Sequence, residues 1–233
     1  MTRLAVTGML RALGVGLALT ALSACTPQAA LISSLIPDGT MAVLLSHLQK
    51  EEEGNRRRIL EMAERKDWDG IAKFADENLA KDRNNPDWWF VAGYAHSEAG
   101  RNQRAIECFS EMVRLAPDDM LGSDALAQSY RNAKQPLRAV QTLNNALRAN
   151  KGTAASYFLL GESYSDLDRD LPAIAAYREA IQMDGEFAKA WLGLGRASAR
   201  LGRTADYEAA LKTLGKLSPA LAKELAELRP GPR

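Results

Sequence analysis

Few residues in this 233-residue sequence combine the side-chain types and the spacing that chemistry requires. The two histidines, His47 and His96, are 49 residues apart, whereas a metal site or an acid–base pair needs several groups that converge. Cys108 lies beside Phe109, with no Cys-x-x-Cys or Gly-x-Ser-x-Gly segment in the chain, and such a cysteine usually packs as a small apolar residue. These residues predict no catalytic site, no metal site and no cofactor, and an enzyme is not expected.

Two further features exclude phosphate and nucleic-acid binding. The segment Gly193-Leu194-Gly195 has the spacing that begins a phosphate-binding loop, but it lies within a helical pattern and follows no strand. A phosphate loop requires that strand, so these glycines are interpreted as packing positions. Lys and Arg number 30 against 29 Asp and Glu. A nucleic-acid surface needs a basic excess, so no nucleic-acid partner is expected.

The other cysteine, Cys25, has a different context near the N-terminus. Basic residues precede an apolar run at residues 12–21, which leads into Leu22-Ser23-Ala24-Cys25. The run is shorter than the roughly 20 apolar residues that cross a bilayer, and this order is typical of a signal peptide at residues 1–24. The tetrapeptide resembles the lipobox of bacterial lipoproteins, which implies that the Cys25 thiol receives diacylglycerol and becomes the mature N-terminus. The alternative is an ordinary cleavage site with an incidental cysteine.

The lipobox resemblance also implies a location. Thr26, and not aspartate, follows the cysteine, and in the Gram-negative lipoproteins that the chain resembles this implies sorting to the outer membrane. Two or more acyl chains, such as palmitate, anchor a protein stably. Residues 25–40 are therefore expected to form a lipidated tether that holds the folded part in the periplasm. The apolar piece at residues 31–36 would contact either the membrane or the folded part.

An internal period of 34 residues dominates the rest of the sequence. Three sets of positions share this spacing: Ala105, Ala139 and Ala173; Trp89, Ser123, Tyr157 and Trp191; and Gly93, Ala127, Gly161 and Gly195. Each period contains two runs of about 14 residues with the apolar spacing of a helix, separated by short breaks. The pattern predicts an all-α chain of helix-turn-helix units. His96 occupies the position of Tyr130 and Tyr164 in the following units, which favours a packed core histidine.

The unit at Ala155–Asp184 resembles the tetratricopeptide repeat. The matching residues are Tyr157, Leu160, Gly161, Tyr164, Ala173, Tyr177 and Ala180. The resemblance implies a right-handed superhelical solenoid, in which each repeat packs on its neighbours. The expected parts are an N-terminal helix with a degenerate repeat (residues 41–85), four repeats (86–221), a capping helix (218–228) and a disordered tail (229–233).

The resemblance also implies a concave groove, lined by the first helix of each repeat, that receives an extended or helical peptide. The matching positions are Phe90, Tyr94, Glu98, Asp124, Gln128, Arg131, Phe158, Glu162, Asp166, Lys189, Leu192, Arg196 and Arg200. Phe90, Tyr94 and Phe158 are candidate anchors, since aromatic residues contribute strongly to binding. The alternative is that they pack on neighbouring helices. Trp88 either covers the degenerate first unit or forms a further exposed anchor.

The predicted groove carries charges of both signs. A basic end is predicted by three cations on one helix, Lys189, Arg196 and Arg200. An acidic middle is predicted by Asp124, Glu162 and Asp166. Such a surface would recognise an acidic feature at its basic end and set the direction in which a partner segment lies. The alternative is that these charges are only solvated.

The anchor and the repeats together predict a lipid-anchored, periplasm-facing scaffold that binds another protein. Length, lipobox and repeats resemble the outer-membrane lipoproteins of type IV or Flp pilus and secretin assembly, which is the first assignment. The alternatives are an adaptor that regulates peptidoglycan hydrolases and an accessory of outer-membrane barrel assembly. A third interpretation is an enzyme with an unrecognised site in the tether or the first helix.

Overall fold

Eleven α-helices and no strand make up the part of the chain that the computed structural model describes, residues 53–150 and 152–228. The helices are α1 (Glu53–Glu64), α2 (Trp68–Leu79), α3 (Pro86–Glu98), α4 (Asn102–Leu115), α5 (Met120–Asn132), α6 (Pro136–Ala149), α7 (Ala154–Ser165), α8 (Asp170–Met183), α9 (Ala188–Arg200), α10 (Thr204–Leu217) and α11 (Pro219–Ala226). The predicted all-α chain of helix pairs is confirmed. The predictions for the signal peptide, Cys25, the tether, the beginning of the N-terminal helix and the tail lie outside the described residues.

One turn geometry recurs between the two helices of every pair. Residues one period apart have a positive φ of 56° to 72° in these turns: Lys66, Gly100, Lys134, Asp168 and Gly202. The next residue then donates its N–H to a carbonyl five residues earlier, as in the 2.8 Å bond from Gln135 to Tyr130. This left-handed residue satisfies the last carbonyls of the first helix and redirects the chain into the second. Because Lys66 has the same geometry, α1 and α2 form a unit in register with the four pairs that follow.

Side-chain caps begin several of the first helices. The Asn85 side chain accepts the Asp87 N–H at 2.9 Å at the start of α3, and Asp119 does the same for α5. At α7, Thr153 and Ser156 form a reciprocal capping box. These bonds satisfy N–H groups that a helix start would otherwise leave open, and the three caps lie one period apart along the chain.

Small residues let the helices of a pair approach closely. The alanines that recur at the start of the second helices have no exposed surface: Ala105, Ala139 and Ala173. A Cβ on Gly93 would lie 2.8 Å from the Phe109 ring, and one on Gly161 would lie 2.6 Å from the Tyr177 ring. The 34-residue spacing of small and aromatic residues thus corresponds to direct packing between the two helices of each unit.

Trp88 packs against the first unit, and Leu225 packs against the last repeat. Trp88 packs edge-on against Phe74 of α2, with ring centroids 5.5 Å apart. It therefore covers the first unit, and the alternative of an exposed anchor is wrong. At the other end, Leu225 of α11 packs on Gly195, and the Tyr207 hydroxyl donates to the Leu225 carbonyl at 3.1 Å. Among the helices of the described ranges, none has the length and apolar character needed to cross a membrane.

Candidate functional site

The first helices of the four repeats, together with α11, surround a cavity of about 530 Å³, here called the inner groove. Eleven of the thirteen predicted groove positions line it: Phe90, Tyr94, Glu98, Asp124, Gln128, Arg131, Phe158, Glu162, Lys189, Leu192 and Arg196. Asp166 lies at an adjoining depression, beside Gln128 and Arg131. Arg200 lines neither, and its guanidinium bonds to Asp170 at 2.8 Å and to Ser165 at 2.7 Å.

Aromatic rings form the floor of the inner groove. Phe90, Tyr94 and Phe158 keep only 1%, 8% and 6% of their surface exposed. Phe90 packs against Phe109 with centroids 5.7 Å apart, and Phe158 against Phe187 at 5.0 Å. Of the two alternatives for these aromatic residues, the structure favours packing on neighbouring helices, which cover most of each ring. An occupant would meet a shallow apolar floor.

Asp124 lies at this floor and has no exposed surface. Its Oδ2 accepts a hydrogen bond from the Ser156 hydroxyl of α7 at 2.8 Å. Burial raises the pKa of the Asp124 carboxyl to about 8, because a site without water favours the neutral form. The predicted acidic middle is therefore wrong at this position. Asp124 is a mostly protonated side chain near neutral pH that connects α5 to α7.

The other two acids of the predicted acidic middle have a cationic partner within the chain. Arg131 of α5 donates to Glu162 Oε2 at 3.1 Å and to Asp166 Oδ2 at 2.7 Å. Glu162 Oε1 also accepts a hydrogen bond from the Tyr177 hydroxyl at 2.7 Å. Burial and the adjacent Glu162 carboxylate both raise the pKa of the Tyr177 phenol. This network joins the second repeat to the third, so these charges hold the helices in place.

The predicted basic end is also paired within the chain. Arg196 bonds to Glu224 of α11, and Arg200 bonds to Asp170 of α8. Both arginines thus have a carboxylate partner within the chain, and the recognition of an acidic feature by this end stays a prediction. Lys189 is half-buried in the groove. Burial lowers the pKa of its ammonium group, and the Glu162 carboxylate acts in the opposite direction.

Several residues of the inner groove are not among the predicted positions, for example Asn132, Leu221 and Glu224. Asn132 lies one period from Glu98 and from Asp166. The 34-residue spacing therefore predicts Asn132 as a further groove position. Leu221 and Glu224 belong to α11, which the sequence predicted only as a terminal cap. Its place beside α9 makes α11 a wall of the groove as well.

His96 and Cys108 are buried, as the sequence predicted, and neither lines the groove. His96 Nδ1 accepts a hydrogen bond from Arg101 Nε at 2.8 Å. Burial, and then the charges of Arg101 and Arg104, lower the pKa of the imidazole. Burial raises the pKa of the Cys108 thiol to about 11. Within residues 53–150 and 152–228, no three His, Cys, Asp or Glu side chains converge as they would around a metal ion.

Comparison with known proteins identifies the repeat. Family profiles described as tetratricopeptide repeat match residues 71–119, 154–187 and 173–222, together just over half of the chain. The first of these ranges begins in α2, so it includes part of the degenerate first unit. No curated protein matches the chain.

Solved structures share the fold at low sequence identity. MamA (residues 41 to the end) from Desulfovibrio magneticus RS-1 is 23% identical, with a TM-score of 0.59 over 74% of this chain and 93% of its own. The repeat protein TTC0263 from Thermus thermophilus is 17% identical, with a TM-score of 0.59 over 76% and 97%. YrrB, described as a repeat protein with an unusual peptide-binding site, is 16% identical, with a TM-score of 0.60 over 79% and 98%. The profile matches, the recurring helix pairs and these structures agree, and the chain belongs to the tetratricopeptide repeat family.

Proposed function

We propose that this chain is a lipid-anchored scaffold of the bacterial outer membrane, which holds a segment of a partner protein in its inner groove on the periplasmic side. The inner groove is the observation that carries the proposal. Its volume of about 530 Å³ is typical of binding sites, which range from about 300 to 1,000 Å³. It also combines an apolar floor with polar walls, the usual composition of a site that binds and orients another molecule.

The walls of the groove are held in position by contacts within the chain. Arg131 connects α5 to α7 through Glu162, and Arg196 connects α9 to α11 through Glu224. A site that is already formed loses less conformational entropy when an occupant binds. The likeness in fold to YrrB, whose description includes a peptide-binding site, further supports a peptide segment as the occupant.

The proposed anchor rests on the N-terminal sequence. An apolar run leads directly into Leu22-Ser23-Ala24-Cys25, the order found in a lipoprotein signal. Acylation at Cys25 would keep the repeats next to the membrane, and the absence of aspartate at residue 26 favours the outer membrane. The proposed tether at residues 25–40 would separate the groove from the anchor.

The partner that we assign first is a component of type IV or Flp pilus or secretin assembly. This assignment rests on the resemblance in length, lipobox and repeats to lipoproteins of those machines. A peptidoglycan hydrolase and the barrel-assembly machinery are the other two partners that the same arrangement would serve.

The experiment is site-specific photo-crosslinking in cells that produce the full-length chain. A photoreactive amino acid replaces Gln128, which lines the groove. The matched control has the same amino acid at Gln141, an exposed glutamine of α6 that does not line the groove. We expect a cross-linked partner at position 128 and none at position 141.

Mass spectrometry of the cross-linked product then identifies the machine. A secretin or pilus component supports the first assignment, and a hydrolase or barrel-assembly component replaces it with the corresponding alternative. A partner that cross-links from position 141 and not from position 128 would exclude the inner groove as the binding surface.

A further inference from the structure

The turns inside the four repeats, with the first residues of the helices that follow them, lie along one edge of the helix stack. This edge is here called the turn edge, and it comprises residues 99–104, 133–138, 167–172 and 201–206. Hydrogen bonds connect its successive turns. Asn102 Nδ2 donates to the Asn132 carbonyl at 3.3 Å, from the first repeat to the second. Arg131 joins the second repeat to the third, and Arg200 Nε joins the fourth to the third through Asp170 at 2.8 Å. The turn edge is therefore one continuous surface.

Three leucines protrude from the turn edge: Leu137, Leu171 and Leu201. Between 41% and 62% of each side chain's residue surface is exposed. Leu137 and Leu171 lie one period apart, each as the second residue of its helix, and Leu201 directly follows α9. A single exposed leucine is ordinary, but a row of apolar side chains on one surface indicates a contact with another molecule.

Three cations flank this row. Lys134 and Arg138 lie on either side of Leu137 in the chain, and Arg169 precedes Leu171 by two residues. All three are exposed. Over the part of the chain that the structure describes, none of them forms an ion pair with a carboxylate. These charges are therefore available to an anionic partner.

The acidic residues of the turn edge do not balance its cations. Its four segments contain six basic and three acidic residues. Two of the three acids are already paired within the chain, Asp170 with Arg200 and Asp206 with Arg203. The third, Asp168, is exposed, and its charge also acts on Arg200. The turn edge thus keeps a positive excess next to its leucines.

The opposite edge of the stack has the opposite charge. The equivalent segments there are the loops between units with the first residues of the next helix, at 82–87, 116–121, 150–155 and 184–189. They contain six acidic and three basic residues. An anionic surface would attract the turn edge and repel this one.

We infer that the turn edge docks on a bilayer that contains anionic phospholipid, with its three leucines at the boundary between head groups and acyl chains and its unpaired cations against lipid phosphates. This inference rests on the lipid anchor of the proposed function and adds the orientation of the repeats on that membrane. Interfacial binding of this kind combines buried apolar side chains with attraction to anionic lipid. Weak contacts suffice for an anchored chain, because the anchor keeps the repeats at a high local concentration beside the bilayer.

Docking by this edge has a consequence for the inner groove. The helix axes run from the turn edge to the opposite edge, so the helices would stand upright on the bilayer. The groove is lined by the sides of the first helices and of α11. It would therefore remain open to a partner in the periplasm.

The test uses the full-length chain, purified from the membranes of producing cells and reconstituted in vesicles of phosphatidylethanolamine and phosphatidylglycerol. A polarity-sensitive fluorescent amino acid replaces Leu171. The matched control has the same amino acid at Met183, which is 44% exposed at the other end of α8. We expect the emission from position 171 to shift to shorter wavelength and to be quenched by a quencher on the lipid acyl chains. The emission from position 183 should remain as in water.

A charge-reversal variant tests the role of the cations. Lys134→Glu, Arg138→Glu and Arg169→Glu together should abolish the shift at position 171, since each cation near an anionic surface favours binding about fivefold. The control reverses three exposed cations that lie toward the opposite edge on α6 and α10, with Arg148→Glu, Lys212→Glu and Lys216→Glu. It makes the same change in net charge and should leave the shift intact. Vesicles of phosphatidylcholine alone should give a smaller shift.

Flotation of the vesicles separates this inference from the proposed function. A chain that floats with the vesicles while position 171 remains in water would overturn the docking and leave the anchor in place. Equal shifts at positions 171 and 183, or in both triple variants, would overturn the assignment to the turn edge. A shift at position 171 that grows with protein concentration in detergent, without vesicles, would assign the edge to contacts between copies instead. A chain that does not float with either kind of vesicle would count against the anchor itself.

Discussion

The ring of Tyr177 in α8 lies against Gly193 in α9, so close that a Cβ on the glycine would be 2.5 Å from a ring carbon. The same ring also lies against Gly161 of α7, where a Cβ would lie 2.6 Å away. One tyrosine therefore fills the space between the third and fourth repeats, and its hydroxyl ends on Glu162 at the wall of the inner groove.

Alanine at Gly161 or Gly193 should destabilise the fold. Overpacking costs about 1–3 kcal/mol, which outweighs the gain of about 1 kcal/mol that alanine brings to a helix interior. Thermal unfolding of each variant measures the effect. Gly215→Ala in α10 is the control, because no atom lies within 4 Å of its added Cβ, and it should stabilise by about 0.5–1 kcal/mol. Equal shifts at all three glycines would contradict the packing described for Tyr177.

The recurring turn predicts opposite effects for two substitutions at equivalent positions. Gly100 and Lys134 have φ values of 72° and 60°, a region that only glycine adopts without strain. Gly100→Ala should destabilise by about 1 kcal/mol, whereas Lys134→Gly should be neutral or stabilise by up to about 1 kcal/mol. Urea unfolding midpoints compare the two. A loss of stability from Lys134→Gly equal to that from Gly100→Ala would show that the lysine side chain, and not its backbone, matters.

Asp124→Asn should change how stability depends on pH. The folded-state pKa of about 8 lies above the ordinary value of 3.8, so between these pH values the folded chain keeps a proton that the unfolded chain releases. Stability is then greatest at the acidic side of this window and falls as the pH rises toward 8. Asparagine preserves the acceptor for Ser156 without the proton. Melting temperatures of the two proteins should converge near pH 4, and the variant should be the more stable at pH 8.

A matched variant isolates that effect. Asp118 is exposed just before α5, and Asp118→Asn should leave the pH profile as in the unmodified protein. A parallel profile for Asp124→Asn and the unmodified protein would mean that Asp124 is ionised in the folded state.

Arg131→Ala should cost more stability than removal of an ordinary surface ion pair. The side chain is 14% exposed and holds both Glu162 and Asp166, so its loss leaves partly buried carboxylates without their cation, at about 1–3 kcal/mol. Arg104→Ala is the comparison, since Arg104 is 60% exposed in its pair with Glu107 and such pairs contribute about 0–1 kcal/mol. Chemical unfolding measures the free energy of unfolding of both variants. Similar losses would mean that the Arg131 network contributes no more than an ordinary surface ion pair.

Cys25→Ser should abolish the proposed membrane anchoring without unfolding the repeats. Serine offers no thiol for the diacylglycerol group, so the protein should remain unprocessed or become soluble in the periplasm. Membrane fractionation and immunoblotting report the location, and circular dichroism reports the fold. A serine variant that is processed normally and still sediments with the outer membrane would contradict the lipobox interpretation.

Much of the candidate site followed from the period together with the resemblance to the tetratricopeptide repeat. Spacing of 34 residues placed Phe90, Gln128 and Glu162 on the first helices, and the structure has them along one groove. The same spacing would also have predicted Asn132, which lies 34 residues from Glu98 and from Asp166. Helix pairs of this kind form from contacts between residues close in the chain. Local apolar patterns and turns therefore indicate their register.

The sequence by itself determined the helical units, their register, the buried small residues and the candidate lipid anchor, because each depends on residues within one or two turns of helix or within one repeat. Only the tertiary structure decided which groove side chains are covered and which charges are paired. Arg131 meets Glu162 across 31 residues, and Asp124 meets Ser156 across 32. The burial and the ionisation of a side chain depend on its contacts with residues of the adjacent repeat. A pattern within a single repeat does not show which residues those are.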